Sequence, residues 1–113
     1  MDEVRIAPAR VTLAPATLFD AACVALESDE FVQVRAAMRD ANNGRCAWGV
    51  VRTVMGRAGL NSWSDVHPRM VDIERRAGQL LGYDGIESAN DAGEPFGIIA
   101  AALRRARIEV EQG

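Results

Sequence analysis

Apolar side chains recur in this chain every three to four residues, in one segment after another. Leu18, Ala22 and Leu26 follow that beat, as do Val50 and Val54, then Met70, Ile73 and Ala77, then Phe96, Ile99 and Leu103. A period near 3.6 lines one face of a helix, whereas a half-buried strand alternates with period two. The spacing therefore predicts an all-α fold, a compact single domain of about five helices.

Capping residues divide the pattern. Thr17 and Asp20 suit the start of a first helix, with Phe19 and Cys23 beside its apolar row. Ser28-Asp29 reads as a stop and a new cap. A second helix is then expected to carry Phe31, Val34, Met38 and Ala41 inward and Gln33 outward, closed by Asn42-Asn43-Gly44. The third helix is predicted from Arg45 to Ala58, with Cys46, Val50 and Val54 in one row and Ala47, Val51 and Met55 in the next. Gly49 and Gly56 each cost a helix about 1 kcal/mol relative to Ala, which suggests a close crossing there. A polar loop holding Trp63 leads to His67 as a cap and Pro68 in the first helical position, with Val66 and Val71 as a staple. The fourth helix ends at Gly82. Tyr83 to Gly93 reads as a loop, or a loop with one helical turn. Glu94-Pro95 then opens the last helix. Pro8 and Pro15 interrupt the start, so residues 1–15 are expected to form an extended N-terminal arm ahead of a helical domain over 16–113.

Composition narrows the function. The chain has 113 residues, 49% of them apolar, enough for one core. All 13 basic residues are arginine and the net charge is −3. Scattered Arg with abundant Ala and Gly fits GC-rich codon usage better than a surface built for phosphate. The charge also argues against a strongly basic nucleic-acid face. Two cysteines make no disulfide framework. The acidic start Met1-Asp2-Glu3 leads into no apolar run, and no stretch is long enough to span a membrane, so a cytoplasmic location is expected.

Few residues carry chemistry. Cys46, near a helix start and beside Arg45, has the setting that lowers a thiol pKa. Nucleophilic catalysis also requires a base and an orienting group, and the single histidine, His67, is expected to cap a helix. The structural role of Cys46 therefore outweighs the catalytic one, and no catalytic residue is assigned. Asp84, Glu87, Asn90, Asp91 and Glu94 do not have the alternation of a calcium loop, and there is no Cys or His pairing for zinc. No phosphate-binding loop is present, so neither a metal nor a cofactor is expected. Arg104, Arg105 and Arg107 form the one basic cluster, followed by Glu109 and Glu111, which offset it. Trp48 and Trp63 stand apart: Trp48 falls off both apolar rows of its helix, and Trp63 lies in a polar loop. Tryptophan is enriched at binding hot spots.

The segment Gly44-Arg45-Cys46-Ala47-x-Gly49, the later Asn90-Asp91 and the apolar helix after it resemble a family of small bacterial and bacteriophage helical proteins without an assigned activity. The resemblance spans roughly residues 44–103 and implies a microbial or phage setting. On these grounds the chain is expected to be a small non-enzymatic protein-binding accessory or regulatory module, phage or mobile-element encoded, acting sterically on a host protein or assembly or on itself. Its expected contact residues are Trp48, Trp63, Arg104, Arg105 and Arg107. The alternatives are nucleic-acid binding through the Arg-rich last helix and a cysteine-dependent enzyme using Cys46.

Overall fold

The computed structural model describes residues 15–34 and 44–113. These form helix α1 (Pro15–Glu27), strand β1 (Val32–Gln33), strand β2 (Gly44–Arg45) and helix α2 (Ala47–Arg57). A 3₁₀ turn (Trp63–Asp65) precedes helices α3 (Met70–Leu80), α4 (Ile86–Asp91) and α5 (Phe96–Gln112). The fold is all-α, with one short parallel strand pair. Of the expected N-terminal arm, residues 1–14 lie outside the described residues, and Pro15 already belongs to α1.

Among the described residues there are five helices, as the sequence pattern predicts for the chain, but two of the positions differ. The expected second helix does not start at Ser28-Asp29. Val32 and Gln33 are extended and pair in parallel with Gly44 and Arg45, and the Val34 N–H donates to the Arg45 carbonyl at 2.9 Å. Gly44, expected as a helix cap, lies in β2. The remainder of that expected helix, residues 35–43, falls outside the described residues. The physical cause is long-range: the Gln33 side-chain amide bonds Asn90, the Glu94 carbonyl and the Phe96 N–H, and the backbone pairs with Gly44-Arg45, contacts that meet only in the folded chain. The fifth helix is instead α4, within the segment read as a loop or a loop with one helical turn.

α5 is the hub. Ile99, Ala100, Leu103 and Ala106 are fully or almost fully buried, and the helix packs against both α1 and α3. Phe19 and Leu26 from α1, Val50 and Val51 from α2, Ile73 from α3 and Ile86 from α4 complete one core. Val66 joins that core while Val71 is 52% exposed, so the expected staple between them does not form.

Close backbone approach occurs between α3 and the start of α4, and does not occur at Gly56 of α2. A Cβ on Gly78 would lie 2.2 Å from the Gly85 Cα, whereas one on Gly56 would meet nothing within 4 Å. Glu74, one turn before Gly78 on α3, holds the same junction: its Oε2 accepts the Ile86 N–H at 2.9 Å, satisfying a first-turn amide of α4. Burial holds this carboxyl above the usual range, and the Ile86 amide works in the opposite direction.

Candidate functional site

The two tryptophans meet. The Trp48 and Trp63 rings stack with centroids 3.7 Å apart and planes tilted by 41°. Both are half-buried, resting on the core with part of each ring open. Trp63 is placed by the 3₁₀ turn, which a reciprocal cap fixes: the Ser62 hydroxyl accepts the Ser64 N–H, and the Asp65 carboxylate accepts the Ser62 N–H at 3.2 Å. Among the described residues neither indole N–H has a hydrogen-bond acceptor. A buried indole usually finds one. Arg52, one turn beyond Trp48 on α2, is exposed and forms no ion pair with another described residue.

Trp48 is placed by the start of α2, and that start depends on Asn90. Asn90 is fully buried in α4. Its Oδ1 accepts the Ala47 N–H at 3.0 Å and a Gln33 Nε2–H at 2.9 Å, and its Nδ2 donates to the Val34 carbonyl at 2.7 Å. Gln33 completes the cluster by donating to the Glu94 carbonyl at 2.7 Å and accepting the Phe96 N–H at 3.1 Å. Two side-chain amides thus tie β1 to the ends or starts of α2, α4 and α5. Sequence reasoning placed Gln33 on an outer helix face and met Asn90 only among the oxygen donors of a loop and in the Asn90-Asp91 pair.

Cys46 is the N-cap of α2. It is buried, and its Sγ accepts the Gly49 N–H at 3.4 Å. His67 is engaged elsewhere. Its Nδ1 accepts the Arg69 N–H at 3.0 Å, capping the turn into α3, and its Nε2 bonds Glu111 at 2.8 Å. Among the described residues the Cys46 thiol and the His67 imidazole share no hydrogen-bond partner. Cys23 is also buried, and loss of solvation pushes its thiol pKa up to about 12, which keeps it protonated and unreactive.

The three arginines of the last helix are paired within the chain. Arg104 bridges to Glu27 at 3.0 Å, and Arg107 bridges to Asp20 and Glu111, each at 3.2 Å, with its guanidinium over the Phe19 ring. Arg105 pairs with Glu109 at 3.0 Å. Hydrogen bonds from Arg76 and Arg105 hold the Glu109 carboxyl below its usual range, and His67 and Arg107 do the same for Glu111. The structure thus brings Trp48 and Trp63 together and places Arg104 and Arg107 in a separate cluster along the α1–α5 seam.

Among the described residues no group of three or more His, Cys, Asp or Glu side chains has the arrangement of a metal site. Asn90 turns inward, away from the acidic residues around it. No described helix is long and apolar enough to cross a membrane. Comparison with protein-family models, with curated proteins and with solved structures finds no match for this chain.

Proposed function

We propose that this protein is a non-enzymatic binding module whose stacked Trp48–Trp63 pair grips an extended segment of a partner protein. The observation that supports this reading is a stacked aromatic pair, partly open to solvent, with both indole N–H groups lacking an acceptor among the described residues. Ring faces offer apolar area at little entropic cost, and the two donors match backbone carbonyls of an extended peptide. Arg52 at the rim adds a fork for a carboxylate. Action is steric: the partner segment is held and withheld from its other contacts. A phage or mobile-element origin, a host target and a cytoplasmic setting fit a small regulator of this kind.

Nucleic-acid binding ranks below this reading because Arg104, Arg105 and Arg107 are each matched by an acid of the same chain. A thiol enzyme ranks lower still, since the Cys46 sulfur serves as a buried cap.

A photo-crosslinking residue in place of Arg52, irradiated in the native host, tests the proposal. It should give a discrete adduct that disappears in a Trp63→Ala background whose circular dichroism is native. The same label at exposed Gln79 serves as control. Equal adducts from both positions, or an adduct indifferent to Trp63→Ala, would overturn the proposal.

A further inference from the structure

His67 is buried, and both of its ring nitrogens are engaged. Nδ1 accepts the Arg69 N–H at 3.0 Å, so the neutral ring carries its proton on Nε2 and donates it to Glu111 at 2.8 Å. These two bonds answer a second proton differently. The Nε2–H bond survives and becomes an ion pair. The Nδ1 bond does not: the new Nδ1–H would point at the Arg69 N–H, donor against donor.

The surroundings decide which side yields. The charged groups on the elements packed around the ring are Asp20 of α1, Arg107 and Glu111 of α5, Asp65 of the 3₁₀ turn, and Arg69 and Asp72 at the start of α3. Asp20 is bridged by Arg107, Asp72 by Arg69, and Asp65 accepts the Ser62 N–H. Among the described residues Glu111 is the acid that bonds the ring. Hydrogen bonds from His67 and Arg107 hold its carboxyl below the usual range, so it stays ionised while the imidazole charges. The imidazolium therefore stays on Glu111, and the exposed Arg69 retreats. Arg69 stands at the cap of α3 with no side-chain cap bond, so His67 Nδ1 is the side-chain acceptor at that end. His67 is also tied to the turn before it. The Trp63 carbonyl accepts the Val66 N–H at 3.0 Å and the His67 N–H at 3.4 Å, and the His67 carbonyl accepts the Met70 N–H at 3.0 Å. His67 is thus the joint between the turn that carries Trp63 and the first turn of α3.

We propose that His67 is a proton switch for the tryptophan site: neutral, it locks the turn of Trp63 onto α3; protonated, it lets that turn shift and parts the Trp48–Trp63 stack. Histidine is the side chain whose ordinary charge change falls between about pH 5 and 8, so the module grips its partner at neutral pH and releases it in mild acid. Only that last step rests on the pair being the binding site. The stack is read in the isolated protein, so failure of the switch and failure of the partner crosslink are told apart.

NMR and circular dichroism from about pH 8 to pH 5 test the switch. As the His67 nitrogen shifts report protonation, the Arg69 amide proton should move upfield and the Trp48–Trp63 exciton couplet should weaken, all with one midpoint. His67→Asn puts a permanent acceptor in the place of Nδ1, whereas His67→Gln puts its amide in the place of Nε2. His67→Asn should therefore keep the couplet at full strength across the range, and His67→Gln should show the weakened couplet already at the alkaline end. An Arg69 amide or a couplet that ignores the His67 titration would overturn the proposal. So would a pH response that survives in His67→Asn with the same midpoint.

Discussion

Gly78→Ala should destabilise the protein markedly although alanine is the better helix former. In open helix the exchange gains about 1 kcal/mol. At Gly78 the added methyl would lie 2.2 Å from the Gly85 Cα and 2.3 Å from its nitrogen. Carbon atoms in contact rest near 3.5–4.0 Å, so Gly85 must retreat by roughly 1.5 Å. It has nowhere to go without loss: a Cβ on Gly85 would itself lie 2.0 Å from the Glu74 carboxylate, and Glu74 bonds the next amide, that of Ile86. The Tyr83 N–H, which donates to the Gly78 carbonyl at 2.8 Å, moves too. Overpacking costs about 1–3 kcal/mol, and a strained hydrogen bond to a charged group adds about 1.5–3 kcal/mol. Against the helix gain, the net loss is about 1.5–5 kcal/mol, a fall in Tm on the order of 6–20 °C for a domain of this size. Gly56→Ala is the matched control: exposed, in α2, with open space around the new methyl, it should gain up to about 1 kcal/mol. Urea unfolding followed by circular dichroism measures both. If Gly78→Ala were as stable as the unmodified protein, the backbone contact between α3 and α4 would not exist as described.

Asn90→Leu should cost about 3–5 kcal/mol, because it leaves the Ala47 N–H, the Val34 carbonyl and the Gln33 amide without their partner; a loss below about 1 kcal/mol in the same unfolding assay would contradict the buried cluster. Glu74 has its pKa raised by burial, so the fold favours its protonated form. Its contribution is greatest below the ordinary glutamate pKa and is lost as pH rises through the raised folded value. Glu74→Gln should therefore gain stability at pH 7 relative to the unmodified protein, with the gain shrinking toward pH 4; urea midpoints that show the opposite trend would refute it. The neutral His67 ring should carry its proton on Nε2, since Nδ1 accepts the Arg69 N–H; nitrogen shifts in NMR reporting the other tautomer would remove the cap. With only two tryptophans in the chain, an exciton couplet in circular dichroism should vanish in either Trp48→Phe or Trp63→Phe, and its persistence in both would mean that the indoles are not stacked.

The local beat of apolar residues determined what each helix would bury. Leu18, Val50, Ile73, Ile99 and Leu103 are all inside, as their spacing requires, because a helix has one period and a core has one side. The oddity of Trp48 and Trp63 was legible in the same way, since neither fitted an apolar row. Their contact was not, because stacking depends on where the 3₁₀ turn returns to α2. The last-helix arginines were visible as a cluster, but Asp20 and Glu27, which neutralise two of them, lie on α1, far away in sequence. Tertiary structure alone decided that Gln33 is extended and Asn90 central. Their hydrogen bonds join residues 57 positions apart, and no local pattern encodes a bond whose partners meet only after the chain has closed. The same holds at Gly78, where a missing side chain has meaning only once the Gly85 backbone lies against it.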